Sequence, residues 1–149
     1  MRTLGLTAFK AEAADFAVRL KRGKAATVVA LSGGLGAGKT AFTQVLARSL
    51  GVDETVASPT FVIQKVYQLP DTNGAGFKRL IHIDAHRIDK AHELEVLGWK
   101  EIAADPDNVI VVEWPEHAQK LIPADAYRVK IEYIDEFARE ITYTHGKKN

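Results

Sequence analysis

An almost unbroken apolar run, Ala25 to Leu31, leads within two residues into Gly33-Gly34-Leu35-Gly36-Ala37-Gly38-Lys39-Thr40. The run is β-branched at its centre and lacks the alternation of a half-exposed strand, so it predicts a strand covered on both faces. After the glycines, Phe42, Val45, Leu46 and Leu50 recur at helical spacing, which predicts a helix from about Lys39 to Leu50, stopped by Gly51. Strand, glycine-rich loop and helix in this order restrict the chain to α/β architectures whose sheet is flanked by helices.

The loop matches G-x-x-x-x-G-K-[ST], and each part has a physical task. Glycines allow backbone angles that turn successive N–H groups inward as a cradle for phosphate oxygens, and the helix adds its positive N-terminal end. Lys39 is expected at the β- and γ-phosphates and Thr40 at Mg²⁺. Gly33 to Ala41 therefore form the expected nucleotide-binding segment. A chance glycine turn is the competing reading, and the flanking strand and helix disfavour it.

The 149 residues are of a length for one domain, taken as 1–149, and are 46% hydrophobic and 26% charged, ordinary for a soluble globular protein. A net charge of +1 provides no electrostatic argument for direct nucleic-acid or membrane binding. Without cysteine there are no disulfides, thiolate nucleophiles or Cys-based zinc sites. Charged residues interrupt the N-terminal apolar runs, and no run is long enough to span a bilayer, so the cytoplasm is the expected location.

Around this centre the pattern predicts an amphipathic helix at 8–21, a hairpin from strands 61–69 and 77–84, and a short helix at 91–97. A buried strand is expected at 109–113, and two closing strands at 127–134 and 139–144. The sheet is then part parallel and part antiparallel. Asp71-Thr72-Asn73-Gly74 spells the D-x-x-G of GTPases but falls in the hairpin connection, where such residues are expected anyway. With no N-K-x-D guanine-reading sequence, ATP is favoured over GTP.

A triphosphate-hydrolysing site also needs a carboxylate for Mg²⁺ or water, usually at the end of a buried strand. Asp84 ends Leu80-Ile81-His82-Ile83, and Glu113 ends Val109-Ile110-Val111-Val112. Both are candidate metal ligands and catalytic groups, with roles undivided between them. A solvated strand end is the competing reading of either. His82-x-Asp84-x-His86 would share one face of a strand, but no further His or Cys cluster supports a separate transition-metal site. Trp99 and Trp114 are candidate core anchors, and Trp114 could border the nucleotide.

Several of these motifs occur together in one family. The chain resembles TsaE (YjeE) through GGLGAGKT, Ser58-Pro59-Thr60-Phe61 with Tyr67, and His82-Ile83-Asp84-Ala85-His86-Arg87. The resemblance continues in Glu93-Leu94 followed by Gly98, and in Val112-Glu113-Trp114-Pro115-Glu116. It implies a P-loop NTPase fold and a slow Mg²⁺-dependent ATPase. That ATPase serves a TsaB–TsaD complex in threonylcarbamoylation of tRNA adenosine 37 (t6A), so tRNA is met indirectly.

By motif, Lys39 matches the phosphate lysine, Thr40 the Mg²⁺ hydroxyl, and Asp84 and Glu113 the two functional carboxylates. Thr60 lies in a switch-like segment, and Trp114 matches a tryptophan of functional importance. The chain departs from the family at Gly34, where Asp is usual, at Ala41, where a second Thr is usual, and at His86, where Tyr is usual. A small-molecule kinase and a nucleotide-gated binding module that does not hydrolyse are the alternative functions. The oligomeric state is left open by the sequence, with a monomer favoured.

Overall fold

The computed structural model describes residues 1–34, 36–54, 56, 64–71, 73–85 and 98–145. Its centre is a seven-stranded sheet. In chain order the elements are β1 (Arg2–Leu4), α1 (Gly5–Arg19), β2 (Thr27–Ser32), α2 (Lys39–Ser49), β3 (Gln64–Gln68) and β4 (Arg79–Asp84). Then follow α3 (Trp99–Ala104), β5 (Asn108–Glu113), a 3-10 segment (Pro115–Leu121), β6 (Tyr127–Asp135) and β7 (Ala138–His145).

The sheet order is β1-β7-β6-β2-β5-β4-β3. The four inner strands β6, β2, β5 and β4 run parallel, while β7 and β3 pair antiparallel with β6 and β4, and β1 antiparallel with β7. This is the mixed sheet expected from the sequence. β2 and β5 are apolar throughout because both their faces are covered. On one side Val29, Leu31, Val109 and Val111 pack with Phe9, Phe16, Phe42 and Leu46 of α1 and α2. On the other, Val28, Ala30, Ile110 and Val112 pack with Trp99, Ala118 and Ile122. Phe42 is fully buried, its ring 5.5 Å from Phe16 and 6.2 Å from Phe9.

Element boundaries moved by a few residues. α1 begins at Gly5 rather than Ala8, adding a first turn whose Leu6 is exposed, and it ends at Arg19, before Gly23. At the connection β3 stops at Gln68 and β4 starts at Arg79, where Asn73 organises the chain: its amide donates to Pro70 O (2.7 Å) and Phe77 O (2.6 Å) and accepts from Phe77 N–H (3.1 Å). The D-x-x-G spelling is thus part of a turn. The segment expected as a helix at 91–97 lies outside the described residues.

β1, α3 and the 3-10 segment were not foreseen. β1 joins the sheet edge because Ile141 N–H donates to Met1 O (2.7 Å) and the terminal ammonium to Ile141 O (2.8 Å). Among the described residues no helix is long and apolar enough to cross a membrane.

Candidate functional site at the carboxyl ends of the parallel strands

The glycine loop leaves the carboxyl end of β2, where β5 lies on one side and β6 on the other. Such a point, with neighbouring strands continuing in opposite directions across the sheet, opens a crevice that suits a ligand. Two glycines fix the loop's path. Gly33 has φ +152°, and a side chain there would collide with the carbonyl of Ile131 in β6. Gly38 has φ +113°, and a Cβ would lie 3.1 Å from the Phe9 ring.

Gly38 caps α2 without any side-chain hydrogen bond. The first helical bond runs from Phe42 N–H to Gly38 O (2.9 Å), which leaves the N–H groups of Lys39, Thr40 and Ala41 without helical acceptors. N–H groups without helical acceptors at a helix N-terminus beside a glycine loop favour an anion. Arg139 on β7 braces the loop by donating Nε–H to Ala37 O at 3.0 Å.

Lys39 is buried and folds back over its own loop. Its Nζ donates to Gly33 O (2.6 Å) and Gly34 O (2.9 Å) and sits 4.2 Å from the centre of the Trp114 ring. Burial lowers its pKa from the usual lysine value, opposed by the carboxylates of Glu113, Glu116 and Asp84. Trp114 is the non-glycine residue with positive φ (58°) among those described, and this turn carries the chain from β5 into the 3-10 segment. Its ring closes over the lysine, so it borders the loop, whereas Trp99 is a core anchor.

The two carboxylates expected from sequence meet at this end of the sheet. Asp84 and Glu113 are register partners on β4 and β5, and Leu31 of β2 is the next partner of Glu113. Glu113 is buried, and its Oε2 accepts from Nε2–H of the fully buried His82. Thr40, Asp84 and Glu113 supply hard oxygen donors of the kind Mg²⁺ takes. Among the described residues no cluster of three His, Asp or Glu forms a separate metal site. Leu35, Thr60 and the rest of Ser58 to Phe61, His86, Arg87, Glu93 and Leu94 lie outside the described residues.

Sequence reasoning missed three features. His82 reads in the sequence only as a metal ligand, although a histidine within Leu80-Ile81-His82-Ile83 already signals a buried polar group. Arg139 is distant in sequence from the loop that it braces. The third is a cavity of about 350 Å³ between Leu6 and Phe9 of α1, Ala37, Gly38 and Ala41 of the loop and α2, and Glu136 and Phe137 of the β6–β7 turn.

The chain is similar to several known proteins. The family model described as "Threonylcarbamoyl adenosine biosynthesis protein TsaE" matches residues 7–141. Proteins named tRNA threonylcarbamoyladenosine biosynthesis protein TsaE are similar to the chain. That of Streptomyces coelicolor is 41% identical over 110 residues, covering 73% of this chain and 70% of the relative. That of Bacillus subtilis is 36% identical over 121 residues, covering 81% and 71%. That of Borreliella burgdorferi is 39% identical over 98 residues, covering 66% of each, so the chain spans just under two thirds of that relative.

The crystal structure of Bacillus subtilis YdiB superposes with a TM-score of 0.76 at 31% identity, over 99% of this chain and 84% of the other. The fold is that of a P-loop NTPase, and the chain belongs to the TsaE family of threonylcarbamoyl adenosine biosynthesis proteins.

Proposed function

We propose that the chain binds ATP with Mg²⁺ on the loop from Gly33 to Ala41 and hydrolyses it in support of tRNA threonylcarbamoylation, together with a TsaB–TsaD complex. The observation that carries this reading is the convergence of Lys39, Glu113, Asp84 and the N-terminus of α2 at one end of the sheet. A cation, two carboxylates and a ring of backbone donors serve a phosphoryl transfer, in which positioning and charge stabilisation do most of the catalysis.

The backbone donors of Lys39, Thr40 and Ala41 would hold the phosphates, and the Lys39 ammonium would exchange its loop carbonyls for phosphate oxygens. Thr40 with Asp84 or Glu113 would hold Mg²⁺, which neutralises phosphate charge when bound. The carboxylate not engaged in that way would orient the attacking water. The cavity lined by Ala37, Gly38 and Ala41 lies beside the loop and would take the adenine base.

The test is ATP binding and phosphate release by the purified chain, with and without TsaB–TsaD. Lys39→Ala is expected to abolish binding, and Glu113→Gln to keep binding while losing turnover and support of tRNA modification. Full modifying activity from a variant without turnover would favour a nucleotide-gated module instead. Transfer of phosphate to a metabolite would favour a kinase.

A further inference from the structure

β4 carries a histidine among buried aliphatic residues: Leu80, Ile81 and Ile83 are 0–2% exposed, and His82 is 0% exposed. His82 is the register partner of Val111, so its side chain shares a sheet face with Glu113, two residues further along β5. From there its Nε2–H reaches Glu113 Oε2. Among the described residues, its Nδ1 has no hydrogen-bond partner.

A histidine kept only for stability would be expected to satisfy both nitrogens, because buried polar atoms are nearly always hydrogen-bonded and an unpaired one is destabilising. Here one nitrogen is given up and the other is spent on the carboxylate at the end of the neighbouring strand. We propose that His82 is a positioning residue for Glu113. By holding Oε2 it fixes the carboxylate's rotamer, so that Oε1 alone is presented to the loop crevice. A carboxylate on a freely rotating stem would sample several positions, and misplacement by about 1 Å is worth up to about a hundredfold in rate.

The inference rests on the reading of Glu113 as a working group of the site, and the test separates the two. kcat and the ATP dissociation constant are measured for the full chain with TsaB–TsaD, for His82→Leu, His82→Gln, Glu113→Gln and the His82→Leu/Glu113→Gln double variant. Melting temperatures identify any variant that fails to fold.

His82→Leu is expected to lower kcat by about tenfold or more, with ATP affinity within about threefold of the parent. His82→Gln, whose terminal amide can donate to the same oxygen, is expected to recover most of the loss. In the Glu113→Gln background His82→Leu is expected to add no further loss, since both act through one carboxylate. The inference is overturned if His82→Leu turns over normally while Glu113→Gln is impaired. It is equally overturned if His82→Gln, folded, is as slow as His82→Leu, or if the two losses multiply in the double variant. Normal turnover by Glu113→Gln would overturn the reading of Glu113 itself, and His82 positioning with it.

Discussion

Lys39 is a cation in a setting that disfavours its charge. Burial lowers its pKa, while Glu113, Glu116 and Asp84 pull it back towards the ordinary value of 10.5. The carbonyls of Gly33 and Gly34 and the Trp114 ring are weaker partners than a phosphate dianion. Bound phosphate therefore favours the ammonium and raises its pKa above that of the free site. The sign follows: affinity for the anion falls as pH climbs through the lowered pKa of the free protein, below 10.5, and binding there takes up protons. Calorimetry of ATP binding at alkaline pH, in two buffers of different ionisation enthalpy, is expected to show that uptake. Absence of proton uptake with wild-type affinity intact would mean that the ammonium does not meet the phosphates.

At the scale of elements, the strand, loop and helix from Thr27 to Ser49 were legible because an unbroken apolar run and a helical period flank glycines whose φ values a side chain resists. The strands ending in Asp84 and Glu113 were legible for a similar reason: apolar runs stopping at a charge. Their adjacency was not, since it depends on β4 and β5 pairing across the intervening residues. The same holds for the His82–Glu113 contact, which is a fact of register. β1 and the 3-10 segment are too short to carry a period, and backbone pairing or Pro115 makes them.

Two outcomes follow for α2 and its loop. Phe42 is completely buried between α1 and the sheet, so Phe42→Ala is expected to cost about 3–5 kcal/mol, seen as a melting temperature lower by on the order of 10 °C. Gly34, where the family resemblance leads one to expect Asp, has no left-handed φ, and among the described residues nothing lies within 4 Å of where a Cβ would stand. Gly34→Asp is accordingly expected to change stability by no more than about 0.5 kcal/mol. A large loss in denaturant titration would show that the loop needs glycine there.

Across the whole molecule, polarity is segregated: one end of the sheet holds the loop and carboxylates, and the opposite end the Arg22–Asp107 and Arg79–Asp105 ion pairs. Beside the loop, two large apolar side chains stay exposed, Leu6 at 61% and Phe137 at 71%, and both line the 350 Å³ cavity. The turn and helix that carry them are tied together by Gly5 N–H donating to Phe137 O (2.6 Å), so the mouth is a built feature of the fold. On the proposed function, apolar surface held open beside the loop would meet the flat base of a nucleotide whose phosphates the loop holds.

Inorganic tripolyphosphate has the first end and lacks the second. Phe137→Ala, alone and with Leu6→Ala, is expected to weaken ATP binding by about tenfold, the scale of one lost base–aromatic stack, and to leave tripolyphosphate affinity unchanged. Lys39→Ala is expected to abolish binding of both ligands. Equal loss of the two ligands in Phe137→Ala would mean that the turn shapes the loop rather than the base site. Unchanged ATP affinity would place the base elsewhere on the molecule.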